Sequence, residues 1–183
     1  MPARAPVVGP VPAGADPEAY DRLRRRVLWL MPAGIYLLGS RDGERRNLMT
    51  LTWAMQVATE PKLVALAVES GAVTLELVRA SKAMALSLLP PEARPLVRRF
   101  AKPAVHDASA RTLSGLPYED AAVSGAPVLV GALAHLDLAL RHELPLGSHS
   151  LLVAEVLDAQ ASEAAGPGAR ALRLDDTRMN YGG

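Results

Sequence analysis

Cysteine does not occur in this chain of 183 residues, which excludes disulfides, thiolate metal sites and a cysteine nucleophile. A cysteine-free chain fits a reducing cytoplasm. Phenylalanine occurs once, as Phe100, beside two tryptophans and four tyrosines, so a core has to be built from Leu, Val, Ala and Met. An excess of charge of either sign is also lacking: the net charge is +1, which gives no electrostatic case for nucleic acid as a main partner. No apolar run reaches the length of a membrane-spanning helix. Met1–Ala15 has no sustained apolar stretch of the signal-peptide kind and reads as a loose tail ahead of a single domain, 16–183.

Several reaction classes lack their residues. His106, His135, His142 and His149 are scattered, with no close pair of the zinc-ligand kind, so no metal site is predicted. There is no G-x-S-x-G elbow, no P-loop and no G-x-G-x-x-G after a strand. A self-contained hydrolase, a kinase and a Rossmann dinucleotide site are therefore unsupported.

What is present reads as many short strands with few helices. Asp16-Pro17-Glu18 is a helix start, with a capping carboxylate, proline at the first helical position and an acid near the positive end. Tyr20, Leu23, Val27 and Leu30 follow at helical spacing, predicting a packing helix that Pro32-Ala33-Gly34 ends. Arg22, Arg24, Arg25 and Arg26 form its solvated face. Strands are predicted over 35–39, 63–68 and 82–89, with short helices over 73–80 and 92–100. Residues 101–126 read as a long connection, a length usual for segments that cover a site or an interface. Residues 127–143 and 150–160 pair as a long antiparallel hairpin, a last strand over 171–174 is expected, and 175–183 reads as a polar tail. This pattern predicts a closed or nearly closed antiparallel barrel.

The central stretch is Asn47 to Val57. Its alternation puts Leu48, Thr50, Thr52 and Ala54 on one face and Met49, Leu51, Trp53 and Met55 on the other. The threonine face carries hydroxyls and small groups in a row, which suits close approach of a flat ligand to the backbone. From periodicity alone an ordinary strand with one wetter face remains open.

Asn47-Leu48-Met49-Thr50-Leu51-Thr52-Trp53, then Gln56-Val57 and Glu60-Pro61-Lys62-Leu63-Val64, resembles the signature of the flavin reductase-like proteins. Met31-Pro32-Ala33-Gly34, Gly125-Ala126-Pro127-Val128-Leu129 and Gly147-Ser148-His149-Ser150 continue the resemblance in order along most of the chain. It implies a mainly β fold with short helices: the FMN-binding split β-barrel, a Greek-key-like antiparallel barrel. The implied function is an FMN-dependent NAD(P)H:flavin oxidoreductase, with FAD as an alternative flavin. Such an enzyme transfers hydride from a nicotinamide to bound flavin, in some cases as the reductase component of a two-component monooxygenase. Family members are usually homodimers with the flavin near the interface, and the apolar positions of the region from His135 to Gln160 point the same way.

The resemblance also assigns roles to residues. Asn47, Met49, Thr50, Leu51, Thr52, Trp53 and Ala54 would face the flavin, the backbone from Met49 to Ala54 meeting the ring edge. Thr74 at a helix start, with Ser81 or Lys82 alongside, would hold the phosphate. His149 would position nicotinamide or substrate, with Ser148 standing where the family commonly has an orienting aspartate. Ala72, Ser87 and Ser148 depart from the family pattern. They leave open a barrel that has lost its cofactor, beside a third reading as an electron-transfer flavoprotein of the flavoredoxin type.

Overall fold

The structure, a computed structural model, describes residues 9–177 and 179; the first eight residues of the expected tail lie outside it. The chain runs α1 (Pro17–Leu28), β1 (Tyr36–Asp42), β2 (Arg45–Leu51), β3 (Ala54–Thr59), β4 (Lys62–Glu69), α2 (Val73–Ser81), β5 (Ala83–Leu88) and α3 (Leu96–Arg99). It continues through β6 (His106–Asp107), β7 (Thr112–Leu113), β8 (Leu116–Asp120), β9 (Pro127–Leu129), β10 (Ala134–Pro145) and β11 (His149–Ala161). The main sheet has seven strands in the order β2-β1-β5-β10-β11-β4-β3, every neighbouring pair antiparallel. Its two edges, β2 and β3, are consecutive in sequence. The sheet is thus a barrel opened along one seam, and the seam falls inside the central stretch.

Local chemistry explains the framework. Gly43-Glu44 turns β1 into β2, with Gly43 in the left-handed region at φ 54°. Register shifts at Asp137/Leu138 and Leu140/His142 bend the long β10–β11 hairpin around the barrel. Leu38, Leu66, Met84, Leu138 and Leu152 fill the interior, and Leu75 and Val78 of α2 plug it. A second core lies outside β1 and β2, where Ile35, Leu37 and Leu48 meet the sole phenylalanine, Phe100, and Tyr118 of the small sheet β6-β7-β8-β9. At Gly39 a Cβ would collide with the carbonyl oxygen of Pro127, so only glycine lets β9 approach β1 this closely.

Several expectations need correction. The alternation of residues 47–57 continues through what the structure breaks into β2 and β3, because periodicity carries no record of where strand pairing stops. Residues 127–143 likewise divide into β9 and β10, and residues 101–126 carry three short strands. The segment 171–174 makes one isolated bridge, Arg173 to Gly34, instead of a strand. The start of the expected polar tail, 175–177, belongs to a 3-10 turn, Leu174–Thr177, in which Thr177 is buried, and residues 178 and 180–183 of that tail lie outside the described residues. Asp16 caps α1 as expected, accepting from the Ala19 amide at 2.7 Å, yet no residue of α1 is buried. No helix among the described residues is long and apolar enough to cross a membrane.

Candidate functional site

Pairing of β2 ends at Leu51, opposite Tyr36, and β3 begins at Ala54, opposite Leu66. Thr52 and Trp53 between them belong to neither strand, although the Trp53 carbonyl accepts from the Ala67 amide at 3.0 Å. A cavity of about 120 Å³ opens beside this break. Met49, Thr50, Leu51, Thr52 and Trp53 line one side of it and His149 and Glu69 another. Val97 and Ala101 from the α3 turn, and Leu174 and Met179 near the C-terminus, close it further. A groove of about 710 Å³ shares Thr52, Trp53, Ala67 and Leu174 with the cavity and runs past Ala54 to Leu28 and Met31. Cavity and groove together fall in the size range usual for cofactor sites.

The two threonines do different work. Thr50 ties α3 to β2: its amide donates to the Phe100 carbonyl at 3.0 Å and its hydroxyl to the Val97 carbonyl at 2.8 Å. That hydroxyl holds the cavity wall and is not offered to a ligand. Thr52 is only 5% exposed, and its Oγ1 is buried without a hydrogen-bond partner among the described residues. Buried polar groups are nearly always paired. An orphaned hydroxyl on a mainly apolar slot is what a planar ligand with polar edges would satisfy, so the residues present fit a flavin ring.

Trp53 and His149 face each other across the opening, ring centroids 5.0 Å apart and planes inclined by 53°. His149 Nδ1 lies 3.0 Å from the Ser148 hydroxyl. Ser148 therefore restrains the imidazole where the sequence suggested that an orienting group had been lost. The Ser70 amide and hydroxyl donate to the Ser148 and Gly147 carbonyls at 2.9 and 2.8 Å, fixing this loop against the end of β4. Glu69 stands directly opposite His149 in the β4–β11 register, so both side chains project from one face.

The remaining expected ligand residues lie apart. Asn47 is buried in a network between β2, α2 and the segment after α3, with its amide nitrogen 2.8 Å from the Thr74 hydroxyl. Thr74 is fully buried, so its hydroxyl faces Asn47 and not the cavity. The Ser81 hydroxyl donates to the Leu77 carbonyl at 3.0 Å, and Lys82 is exposed at the C-terminal cap of α2. None of these four lines the cavity or the adjoining groove. Two nearby groups titrate abnormally. Burial pushes the phenol of Tyr36, on the groove, above its usual value. Asp176 is held down at about 2 by hydrogen bonds from the Arg170 guanidinium and then from the Arg173 amide.

The family model described as the flavin reductase like domain matches residues 28–180. The chain belongs to the flavin reductase-like family. It is 30% identical over 160 residues to an NADH-dependent FAD reductase of Streptomyces globisporus, covering 85% of this chain and 84% of that protein. It is also 30% identical over 135 residues to the reductase component of 4-hydroxyphenylacetate 3-monooxygenase from Thermus thermophilus, with coverage of 74% and 81%. Among solved structures, a Streptomyces globisporus NADH:FAD oxidoreductase superimposes with a TM-score of 0.72 at 25% identity, over 94% of this chain and 93% of that one. The same oxidoreductase has been solved with NAD and FAD fragments.

Within this flavin reductase-like chain, the structure gathers Met49, Thr50, Leu51, Thr52, Trp53 and His149 in one cavity and sets Ala54 on the adjoining groove. Sequence reading missed Glu69, Val97, Ala101 and Leu174. Glu69 was legible only once the pairing register placed it against His149; nothing local marked the others.

Proposed function

We propose that this flavin reductase-like protein binds FMN, or FAD in its place, at the seam between β2 and β3 and reduces it with NADH. The observation that carries this reading is the strand break at Thr52-Trp53. It brings the signature stretch and His149 to one slot and leaves the Thr52 hydroxyl without a partner. The names of the relatives, an NADH-dependent FAD reductase and an NADH-dependent FMN reductase, support the choice of reductant and flavin.

A bound flavin supplies the redox chemistry, accepting hydride from the nicotinamide. The chain supplies position and exclusion of water. Backbone groups from Met49 to Ala54 and the Thr52 hydroxyl meet the ring edge, and Leu51, Val97 and Leu174 keep the slot apolar. Trp53 and His149 form the rim against which a second ring is aligned. His149 positions the nicotinamide and is not a nucleophile.

The chain acts as a homodimer in this reading. Val27, Leu30 and Met31 at the end of α1 are 55%, 80% and 67% exposed, and Met55 and Val57 of β3 are 66% and 47% exposed. Of these, Met31 and Met55 line the groove that joins the cavity, so a second copy covering this apolar surface would close the site. The exposure lies on α1 and β3 more than on the β10–β11 hairpin named from sequence. The reduced flavin passes to a monooxygenase, as the match to a monooxygenase reductase component suggests. A cytoplasmic location rests on the cysteine-free composition.

Stopped-flow absorbance of the flavin-loaded protein mixed with NADH tests the reading. Rapid bleaching, slowed by deuterium at the transferring position, is the expected result. Bound flavin that neither NADH nor NADPH reduces would make the protein an electron carrier instead.

A further inference from the structure

One end of the barrel is stoppered by α2, which joins the end of β4 to the start of β5 and closes the interior with Leu75 and Val78. At the opposite end, where β4 and β10 begin and β5 finishes, a pocket of about 380 Å³ opens into the interior. Tyr36, Val64, Leu86, Leu88, Leu136 and Val156 wall this mouth, continuing the inward-facing rows of the core. No residue lines both the mouth and the cavity at the seam. Charge enters the mouth through Lys62. Lys62, Val64, Leu66 and Val68 alternate along β4 on its inward face, so Lys62 is the outermost member of a row whose other members lie in the core. It is exposed, it is the only charged side chain lining the mouth among the described residues, and no ion pair among them includes it. Glu155, opposite Leu63 in the β4–β11 register, is taken by Arg141 at 2.7 Å. The Gln56 amide nitrogen, also at the mouth, donates to the Ala58 carbonyl at 3.1 Å. An apolar socket of this size, with an unneutralised ammonium on its rim, suits a ligand with a hydrocarbon body and one negative charge.

We propose that the barrel mouth is a second binding site, which takes a small monocarboxylic acid with its hydrocarbon body inside and its carboxylate on Lys62. The inference goes beyond the flavin reading and does not depend on it. Contact of the body with leucine and valine supplies most of the attraction, and Lys62 fixes which end of the ligand faces out. A lone ammonium is a compact point charge, enough for one carboxylate and without the donor fork that phosphate recognition favours.

The test titrates octanoate, and octanamide as its uncharged counterpart, into wild type, Lys62→Met and Ala159→Trp by calorimetry, with thermal melts to confirm folding. Ala159 is exposed and stands directly opposite Leu136 in the β10–β11 register, so an indole there covers the mouth without entering the core. Wild type is expected to bind octanoate with or without saturating FMN. Lys62→Met should weaken octanoate about five-fold and leave octanamide unchanged. Ala159→Trp should abolish binding of both, with FMN affinity at the wild-type value. Octanoate binding that saturating FMN abolishes would put the acid in the flavin cavity and overturn the proposal. Unchanged octanoate affinity in either variant, or equal weakening of both ligands by Lys62→Met, would overturn it too. So would wild type that binds no octanoate; if Ala159→Trp then splits a wild-type dimer, the mouth belongs to a second copy. Octanoate binding at the mouth by a protein that takes no flavin would sustain this inference and overturn the functional reading.

Discussion

Asn47 donates its side-chain amide to the hydroxyl of Thr74 at 2.8 Å, and its carbonyl oxygen accepts from the Ala104 amide at 2.7 Å. One buried asparagine thus fastens β2 to α2 and to the segment that follows α3. Asn47→Ala leaves a buried hydroxyl and a backbone amide without partners, and should cost about 1–3 kcal/mol of stability. Urea denaturation measures this. The affinity of the folded variant for FMN should change much less, since the Asn47 side chain lies outside the cavity.

Thr52→Val separates folding from binding. The substitution removes a hydroxyl that has no partner in the chain while nearly preserving shape. Unliganded stability should stay level or rise by up to about 1 kcal/mol, and FMN affinity should drop about five-fold. Equal FMN affinity in the two proteins would place the ring edge away from Thr52.

His149→Ala removes the ring that faces Trp53 at 5.0 Å. Turnover with NADH should fall by about one to two powers of ten, short of the loss expected for an essential nucleophile. Flavin affinity should change by no more than a few-fold. Single-turnover reduction of pre-bound flavin distinguishes the two effects.

Charge placed on the exposed end of α1 tests assembly. Val27→Glu/Leu30→Glu should convert a dimer to a monomer at micromolar concentration in sedimentation velocity, since obligate interfaces are largely apolar. Wild type that sediments as a folded, flavin-binding monomer would refute the dimer outright.

Asp176 gives a pH signature. Its carboxylate titrates at about 2, against an ordinary value of 3.8, because Arg170 and the Arg173 amide favour the charged form. A depressed folded pKa stabilises the fold fully above the unfolded value, and that contribution is lost as pH falls through the folded one. The stability gap between wild type and Asp176→Asn should therefore be constant above about pH 5 and shrink between about 4 and 2. Denaturation curves across that range provide the check. The group is exposed, so salt should reduce the gap.

Local signals were enough for the parts of this fold that are local. Asp16 before Pro17, Gly43 at the β1–β2 turn and the apolar run of β4 each carry their own physical reason, and the order of motifs identified the barrel. The site was half legible. Met49 to Trp53 sit in one stretch, but their apolar–polar alternation runs on through Thr52 and Trp53, where pairing stops for reasons set by β1 and β4. Thr74 reads as a helix-opening hydroxyl because nothing near it in sequence reveals that Asn47, 27 residues earlier, occupies that hydroxyl. Glu69 meets His149 only through a register between positions 80 residues apart, and Leu174 reaches the cavity from near the end of the chain.

The two edges of the barrel are tethered by the two residues Thr52 and Trp53. Three Cα steps separate Leu51 from Ala54, so at this end the edges can stand no more than about 11 Å apart, roughly twice the spacing of paired strands. The width of the opening is therefore a matter of chain length before it is a matter of side chains. One residue inserted between Leu51 and Ala54 would add about 3.3–3.6 Å of reach and loosen the slot however well the lining were preserved, and one deleted would close it. Elsewhere on the surface a loop can grow with little consequence; here the tether is the gauge.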